Sequence, residues 1–308
     1  MSDADVTNRV IVNLLLIAVG YLIKRVGLVS RDEGRILNRI VLYVTLPAVN
    51  LQAISGTELS WELLMLPVAM FVAGTVMSRV GHWRGKALDL SRPDMGTFVI
   101  SFSGVMASLA YPFAEAAFGA EGVRTVAISD LGNAIVIFGI AYSLSFRYSE
   151  NSDFDARQIL VKVVTFFPML AFLIAVVLNL LRVDVRGLPG GLIDSLAVMN
   201  SPLMLLSLGI YLDLDVSRSE FRVLGTQLLW KYGVGALASV VLLLILPFTG
   251  ATRAVIFLLP LMPTSLSTLL YSVEQELNPR LAAMLISLTM VVSLVITMVV
   301  TLGFRNAF

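Results

Sequence analysis

Cutting the sequence at its charged residues leaves about ten apolar stretches, each long enough to cross a bilayer core of about 30 Å as a helix. They fall at residues 8–27, 37–56, 62–79, 95–117, 123–146, 158–181, 192–212, 223–247, 253–274 and 281–304. Ten helices of about 20 residues take up roughly 200 of the 308 positions and leave short loops, with no room for a soluble domain. Composition agrees: 57% of the residues are hydrophobic and 14% charged, where soluble domains carry roughly 25% charge. Mean hydropathy is +0.88. The expected fold is an all-α membrane protein with ten transmembrane helices.

Most enzyme chemistry is excluded by what is missing. Cysteine is absent and His82 is the single histidine, so thiolate metal sites, cysteine nucleophiles and a Ser-His-Asp relay have no residues to build on. No cofactor or metal is expected. A glycine-rich phosphate loop is also missing, so the chain is not itself an ATP-driven pump. Net charge is +1 and no basic run exceeds Lys24-Arg25, which argues against nucleic acid as a partner. The acidic N-terminus precedes the first apolar stretch without a small-residue cleavage site, so the first helix is expected to stay in the mature protein.

Basic residues set the expected orientation. With the N-terminus outside, sixteen Lys and Arg fall on the inner side and six on the outer side, a bias that places both termini outside a cytoplasmic membrane. Lys24, Lys162 and Lys231 lie inside or near span ends, where a long side chain snorkels to the interface.

Residues 147–157, rich in Ser, Asn and Asp, have a linker's composition and divide the chain into halves 1–146 and 158–308 of five spans each. Prolines mark similar places in the two halves: Pro47 and Pro202 are 155 residues apart, Pro112 and Pro263 are 151 apart. Because five is odd, a repeated second half enters the membrane from the opposite face, giving an inverted repeat of the kind secondary transporters use.

Candidate chemistry gathers at two interrupted spans. Span 4 carries Ser103, Gly104, Ser108, Tyr111 and Pro112, and span 9 carries Pro260, Pro263, Thr264, Ser265, Ser267 and Thr268. Irregular backbone inside a membrane is tolerated only where it lines a cavity or is buried by protein. If Pro112 and Pro263 each open a half-helix, their free N–H groups attract an anion, and the neighbouring hydroxyls bond a carboxylate. The same residues also read as two kinks whose hydroxyls bond back to helix carbonyls. Asp130, with Asn133 three residues on, is an intramembrane carboxylate that reads as a proton carrier, as a ligand for the opposed half-helix, or as a structural cap. Asn50 and Gln52 beside Pro47, and Asn200 and Ser201 beside Pro202, either line the cavity or bond between helices. His82 is expected in a basic loop, and Glu115 and Glu121 in solvent at the outer face.

Gly20-Tyr21-Leu22-Ile23-Lys24-Arg25-Val26-Gly27-Leu28, Leu37-Asn38 and Leu46-Pro47-Ala48 resemble the opening of the auxin efflux carrier family. The resemblance continues through Ala110-Tyr111-Pro112, Phe118-Gly119, Asp130-Leu131-Gly132-Asn133, Ser201-Pro202-Leu203, Ser207-Leu208-Gly209 and Met262-Pro263. It implies broken helices 4 and 9 that cross, a scaffold of helices 1, 2, 6 and 7, and a transport domain of helices 3–5 and 8–10. Elevator-type alternating access, homodimers through the scaffold and organic acid substrates such as auxin, malonate or malate are also implied. Pro112 and Pro263 then stand as the crossover prolines, and Asp130 and Asn133 as the polar pair of helix 5. One departure stands out: many members carry an asparagine in the broken part of helix 4, where this chain offers Ser103, Gly104, Val105 and Ser108.

The expectation is a secondary carrier of small organic anions, proton-coupled or uniport. The candidate substrate residues are Asn50, Ser103, Ser108, Tyr111, Pro112, Asp130, Asn133, Pro263, Thr264, Ser265 and Ser267. The rivals are a sodium-coupled symporter of the bile-acid type and a non-transporting membrane sensor. An intramembrane protease lacks its residues, since Asp130 is the only aspartate well inside a span.

Overall fold

The computed structural model describes residues 3–54, 60–149, 157, 161, 165, 167–183, 187–212 and 220–303, so the expected linker 147–157 lies almost wholly outside the described residues. Thirteen helices are described, in order α1 (Asp3–Arg25), α2 (Arg31–Ile40), α3 (Leu46–Ile54), α4 (Met65–Lys86), α5 (Arg92–Ile100), α6 (Ala110–Ile135) and α7 (Tyr142–Tyr148). They continue as α8 (Phe167–Leu180), α9 (Leu188–Tyr211), α10 (Phe221–Ile245), α11 (Gly250–Leu258), α12 (Ser267–Glu274) and α13 (Pro279–Gly303). Among the described residues the one extended pairing is an isolated antiparallel bridge between Val105 and Thr264.

Among the described residues, seven helical segments are long and apolar enough to cross a membrane: 5–25, 36–54, 61–86, 107–148, 188–211, 221–245 and 279–302. Shorter apolar helices occupy Met169–Leu180 and Gly250–Leu261. Three of the ten expected spans are not among these seven, and span 6 (158–181) lies partly outside the described residues. The second part of span 4 joins span 5 in one 42-residue segment, bent at Gly119, whose φ of +59° is a left-handed conformation that glycine adopts without strain. Span 9 is interrupted after Leu261.

Capping residues start the helices. Ser30 opens α2 with a capping box: its hydroxyl accepts from the Glu33 N–H at 3.2 Å, and its own N–H donates to the Glu33 carboxylate at 2.6 Å. Hydrogen bonds from Ser30 hold the exposed Glu33 carboxyl below the usual carboxylate range, that of its backbone N–H first and that of its side chain second. Ser91 caps α5 by accepting from the Asp94 N–H, with Pro93 in the first turn.

The third span is longer than the apolar pattern implies. It was expected to end at residue 79, but α4 continues to Lys86, putting Arg79, His82, Arg84 and Lys86 on its last two turns. Basic side chains suit a helix C-terminus. Arg84 also stacks over the rings of Trp83 and Trp230, 5.0 and 4.7 Å from their centroids. His82 is therefore a helix residue rather than a loop residue, with Nδ1 2.8 Å from the Tyr148 hydroxyl.

The contacts divide the chain into two compact units, one of residues 1–61, 111–127 and 164–212, the other of 62–110, 128–163 and 213–308. In the first unit, α1 and α9 approach at two glycines. A Cβ on Gly20 would lie 2.2 Å from the Leu206 carbonyl oxygen, and one on Gly209 2.1 Å from that of Ile17. Polar side chains bridge the helices: Thr45 donates to Asn200 at 2.8 Å, Gln52 to Asp194 at 2.8 Å and Asn179 to the Ile54 carbonyl at 2.8 Å. Lys24 reaches the Leu212 carbonyl at the end of α9.

In the second unit α4 packs against α5 and α10, and α13 against α5 and α10. Gly132 lies against the Pro67 backbone, where a Cβ would sit 1.8 Å from the carbonyl oxygen. This unit holds both interruptions, between α5 and α6 and between α11 and α12.

Candidate functional site

The interruptions share a design. Nine-residue helices α5 and α11 each stop, the chain runs irregularly through 101–106 or 262–266, and a new helix follows. Broken helices leave N–H and C=O groups that must be bonded inside the protein. Backbone bonding begins where the two segments meet, with the Met106 N–H donating to the Pro263 carbonyl at 2.8 Å.

Side chains complete it. The Asn133 amide accepts from the Val105 N–H and donates to the Val105 carbonyl, both at 2.9 Å, mimicking a neighbouring strand. Thr289 plays a similar part for the other segment, its hydroxyl accepting from the Thr264 N–H at 3.1 Å. Thr264 in turn donates to the Ser101 carbonyl at 3.0 Å. Gln227 donates to the hydroxyls of Ser101 and Thr264, both at 3.0 Å. Tyr232 and Ser293 close the outer layer: the Tyr232 hydroxyl bonds the Thr289 carbonyl at 2.6 Å, and Ser293 donates to the Leu261 carbonyl at 2.7 Å.

Gly104 turns the first segment with φ +92°, and a Cβ there would lie 2.4 Å from Ile137 Cγ1. Here the asparagine found in many auxin efflux carriers is absent, and neither Ser103 nor the Val105 N–H stands open in its place. The Ser103 hydroxyl donates to the Val99 carbonyl at 3.2 Å and accepts from Ser78 at 2.7 Å.

The prolines hold different places from those expected. Pro112 sits at the third position of α6, which starts at Ala110, so it does suit a first turn. Pro263 does not open a helix: it lies in the irregular segment, and α12 starts at Ser267. The meeting pair Val105 and Thr264 is 159 residues apart, so Pro112 follows its crossing residue by seven positions and Pro263 precedes its own by one. The offset between Pro112 and Pro263 therefore does not mark equivalent positions.

The remaining candidates separate by unit. Asp130, partly exposed, accepts from the Asn133 amide at 2.8 Å in the second unit. Ser265 is buried and accepts from the Ser267 N–H at 3.3 Å, while Ser108 and Ser267 keep some exposure. Asn50, Tyr111 and Pro112 belong to the first unit, where Asn13 donates to the Pro112 carbonyl at 3.0 Å. That unit has its own pocket, lined by Gln52, Tyr111, Glu115, Asn200 and Ser201. Glu115 accepts from Ser201 there at 2.6 Å, and both Glu115 and Glu121 are exposed.

Sequence reasoning missed Gln227, Ser101, Thr289 and Tyr232. Gln227 had a signal, since it precedes Lys231 by one helical turn in an otherwise apolar span. Lys231 itself corrects an expectation. It does not snorkel: the side chain is 1% exposed. It lies ten residues into α10, about 15 Å from the helix start and beyond the reach of a lysine side chain. Its removal from the inner set leaves the charge bias intact.

The family model described as "membrane transport protein" matches residues 5–301. An uncharacterized transporter of Methanothermobacter thermautotrophicus is 26% identical over 299 residues, covering 94% of this chain and 95% of the relative. An uncharacterized transporter of Methanocaldococcus jannaschii is 26% identical over 295 residues, covering 92% of this chain and 94% of the relative. The chain is therefore a multi-pass membrane transporter and belongs to the membrane transport protein family, that of the auxin efflux carriers its motifs resemble.

Proposed function

We propose that this transporter is a secondary carrier of small organic anions, with the substrate carboxylate held at the meeting point of the two interrupted helices. The observation that carries the reading is the Val105–Thr264 pairing, with the start of α12 and the hydroxyls of Ser265 and Ser267 following directly behind it. The positive end of a helix dipole and nearby hydroxyls suit a carboxylate. A dedicated unit built around the pairing also suits elevator-type alternating access, in which that unit carries the substrate and the other stays anchored in the bilayer. Transport then follows from differential binding to two states.

Support for an inverted repeat comes from residues at similar places in the two halves that meet each other. Val105 pairs with Thr264 across an offset of 159, and Thr45 bonds Asn200 across an offset of 155. The same reading includes homodimers through helices 1, 2, 6 and 7, a cytoplasmic membrane location and both termini outside.

The test is uptake of labelled malonate, malate and indole-3-acetate by proteoliposomes, with and without an imposed proton gradient. Saturable uptake of any of them is expected, and its response to the gradient separates proton coupling from uniport. Uptake that requires sodium moves the reading to a sodium symporter. No uptake by correctly reconstituted protein under any gradient overturns it.

A further inference from the structure

We propose that Lys231 is the fixed positive charge that meets the substrate carboxylate, an assignment that rests on the organic-anion reading above. The buried face of α10 carries Gln227, Lys231 and Gly235 one turn apart. Both neighbours of Lys231 on that face touch the second interruption. Gln227 bonds Thr264, and a Cβ on Gly235 would lie 2.7 Å from the Pro260 carbonyl oxygen. Tyr232, next in sequence, bonds the Thr289 carbonyl, whose own hydroxyl receives the Thr264 N–H. Side chains on a helix lean toward its N-terminus, which directs Lys231 toward the level of Gln227 and Thr264.

Lys231 Nζ is buried with no hydrogen-bond partner among the described residues. Most polar groups around the crossing are matched within the protein, so an unmatched ammonium on the helix beside it stands out. A buried cation without a counter-ion is costly and is stabilised by an anion that brings opposite charge and acceptor oxygens. Gln227 Oε1 is likewise without a partner. A shift of the lysine toward that carbonyl satisfies one of three N–H donors but none of the charge. A carboxylate satisfies both, and a single lysine fits a single carboxylate.

The test measures binding of labelled malonate, malate and indole-3-acetate to purified wild-type protein, Lys231→Met and Lys231→Gln, with thermal stability recorded for each. Wild-type binding is expected to weaken by about ten-fold or more in both variants, the size of a lost charge-assisted bond. Their melting temperatures are expected to equal or exceed that of the wild type, because an unmatched charge has been removed. Wild-type affinity in a folded variant overturns the role of Lys231 and leaves the organic-anion reading standing. If the wild type binds none of the three acids, the organic-anion reading fails and this inference with it. A measurement on wild-type protein alone keeps the proposal open to refutation should neither variant fold. Malonamide and indole-3-acetamide, which lack the charge, are expected to compete about ten-fold less well than the acids. Equal competition by the amides overturns the proposal.

Discussion

Asn133 and Val105 are joined through both backbone groups of the valine: the asparagine amide accepts its N–H and donates to its carbonyl. A single side chain thus does for an interrupted helix what a neighbouring strand does in a sheet. The fit leaves no spare donor, because the remaining amide hydrogen goes to Asp130.

Asn133→Ala leaves both Val105 groups buried without partners, at a cost of about 2–4 kcal/mol. Thermal unfolding in detergent is expected to show a clear drop in stability. Asn133→Asp keeps an acceptor for the N–H but sets a carboxyl against the Asp130 carboxylate and the Val105 carbonyl, so it should be no more stable than alanine. Equal stability of all three proteins would mean that Val105 finds other partners.

Gly104→Ala combines two penalties, since its φ of +92° is unfavourable for a side chain and the new Cβ would meet Ile137 Cγ1 at 2.4 Å. The double variant Gly104→Ala/Ile137→Ala removes the clash but keeps the backbone strain, which costs about 1–3 kcal/mol. Partial recovery of the melting temperature is the expected result. Complete recovery would assign the whole effect to packing.

In the first unit, Gly20→Ala and Gly209→Ala each push α1 and α9 apart, because the added carbon would lie within 2.2 Å of a backbone oxygen that cannot rotate away. Size-exclusion profiles after mild heating are expected to show early loss of the monodisperse peak for both. Gly225→Ala, at a helix position with open space around it, serves as the control and should behave as wild type.

Much of this was legible in the sequence, and the failures have physical causes. The interruptions were readable because Gly104, Pro260 and Pro263 interrupt apolar runs rich in hydroxyls, and a membrane helix has few other uses for such a cluster. Where the segments meet was not readable: Val105 and Thr264 are ordinary residues, paired by backbone atoms that carry no sequence signal. The end of α4 was misread because its last two turns are held by Arg84 stacking on Trp83 and Trp230, the second a contact across 146 residues of chain. Lys231 was misread for a related reason. Its distance from a helix end is visible in sequence, but burial depends on which face α10 presents, and the charge tally that sets orientation treats every lysine alike.

If transport is proton-coupled, Asp130 is the group placed to pass a proton's charge to the crossing. Its carboxylate holds the amide that holds Val105, so a change in its charge is passed to the interrupted segment through two hydrogen bonds. Protonation removes an acceptor's charge and weakens the first bond, giving the site a different balance in its two protonation states. Asp130→Asn fixes the neutral state. In proteoliposomes that accumulate substrate under a proton gradient, this variant is expected to retain exchange of labelled for unlabelled substrate while losing gradient-driven accumulation. Accumulation equal to wild type would return Asp130 to a purely structural role as the anchor of Asn133, and loss of exchange as well would place it in substrate binding instead.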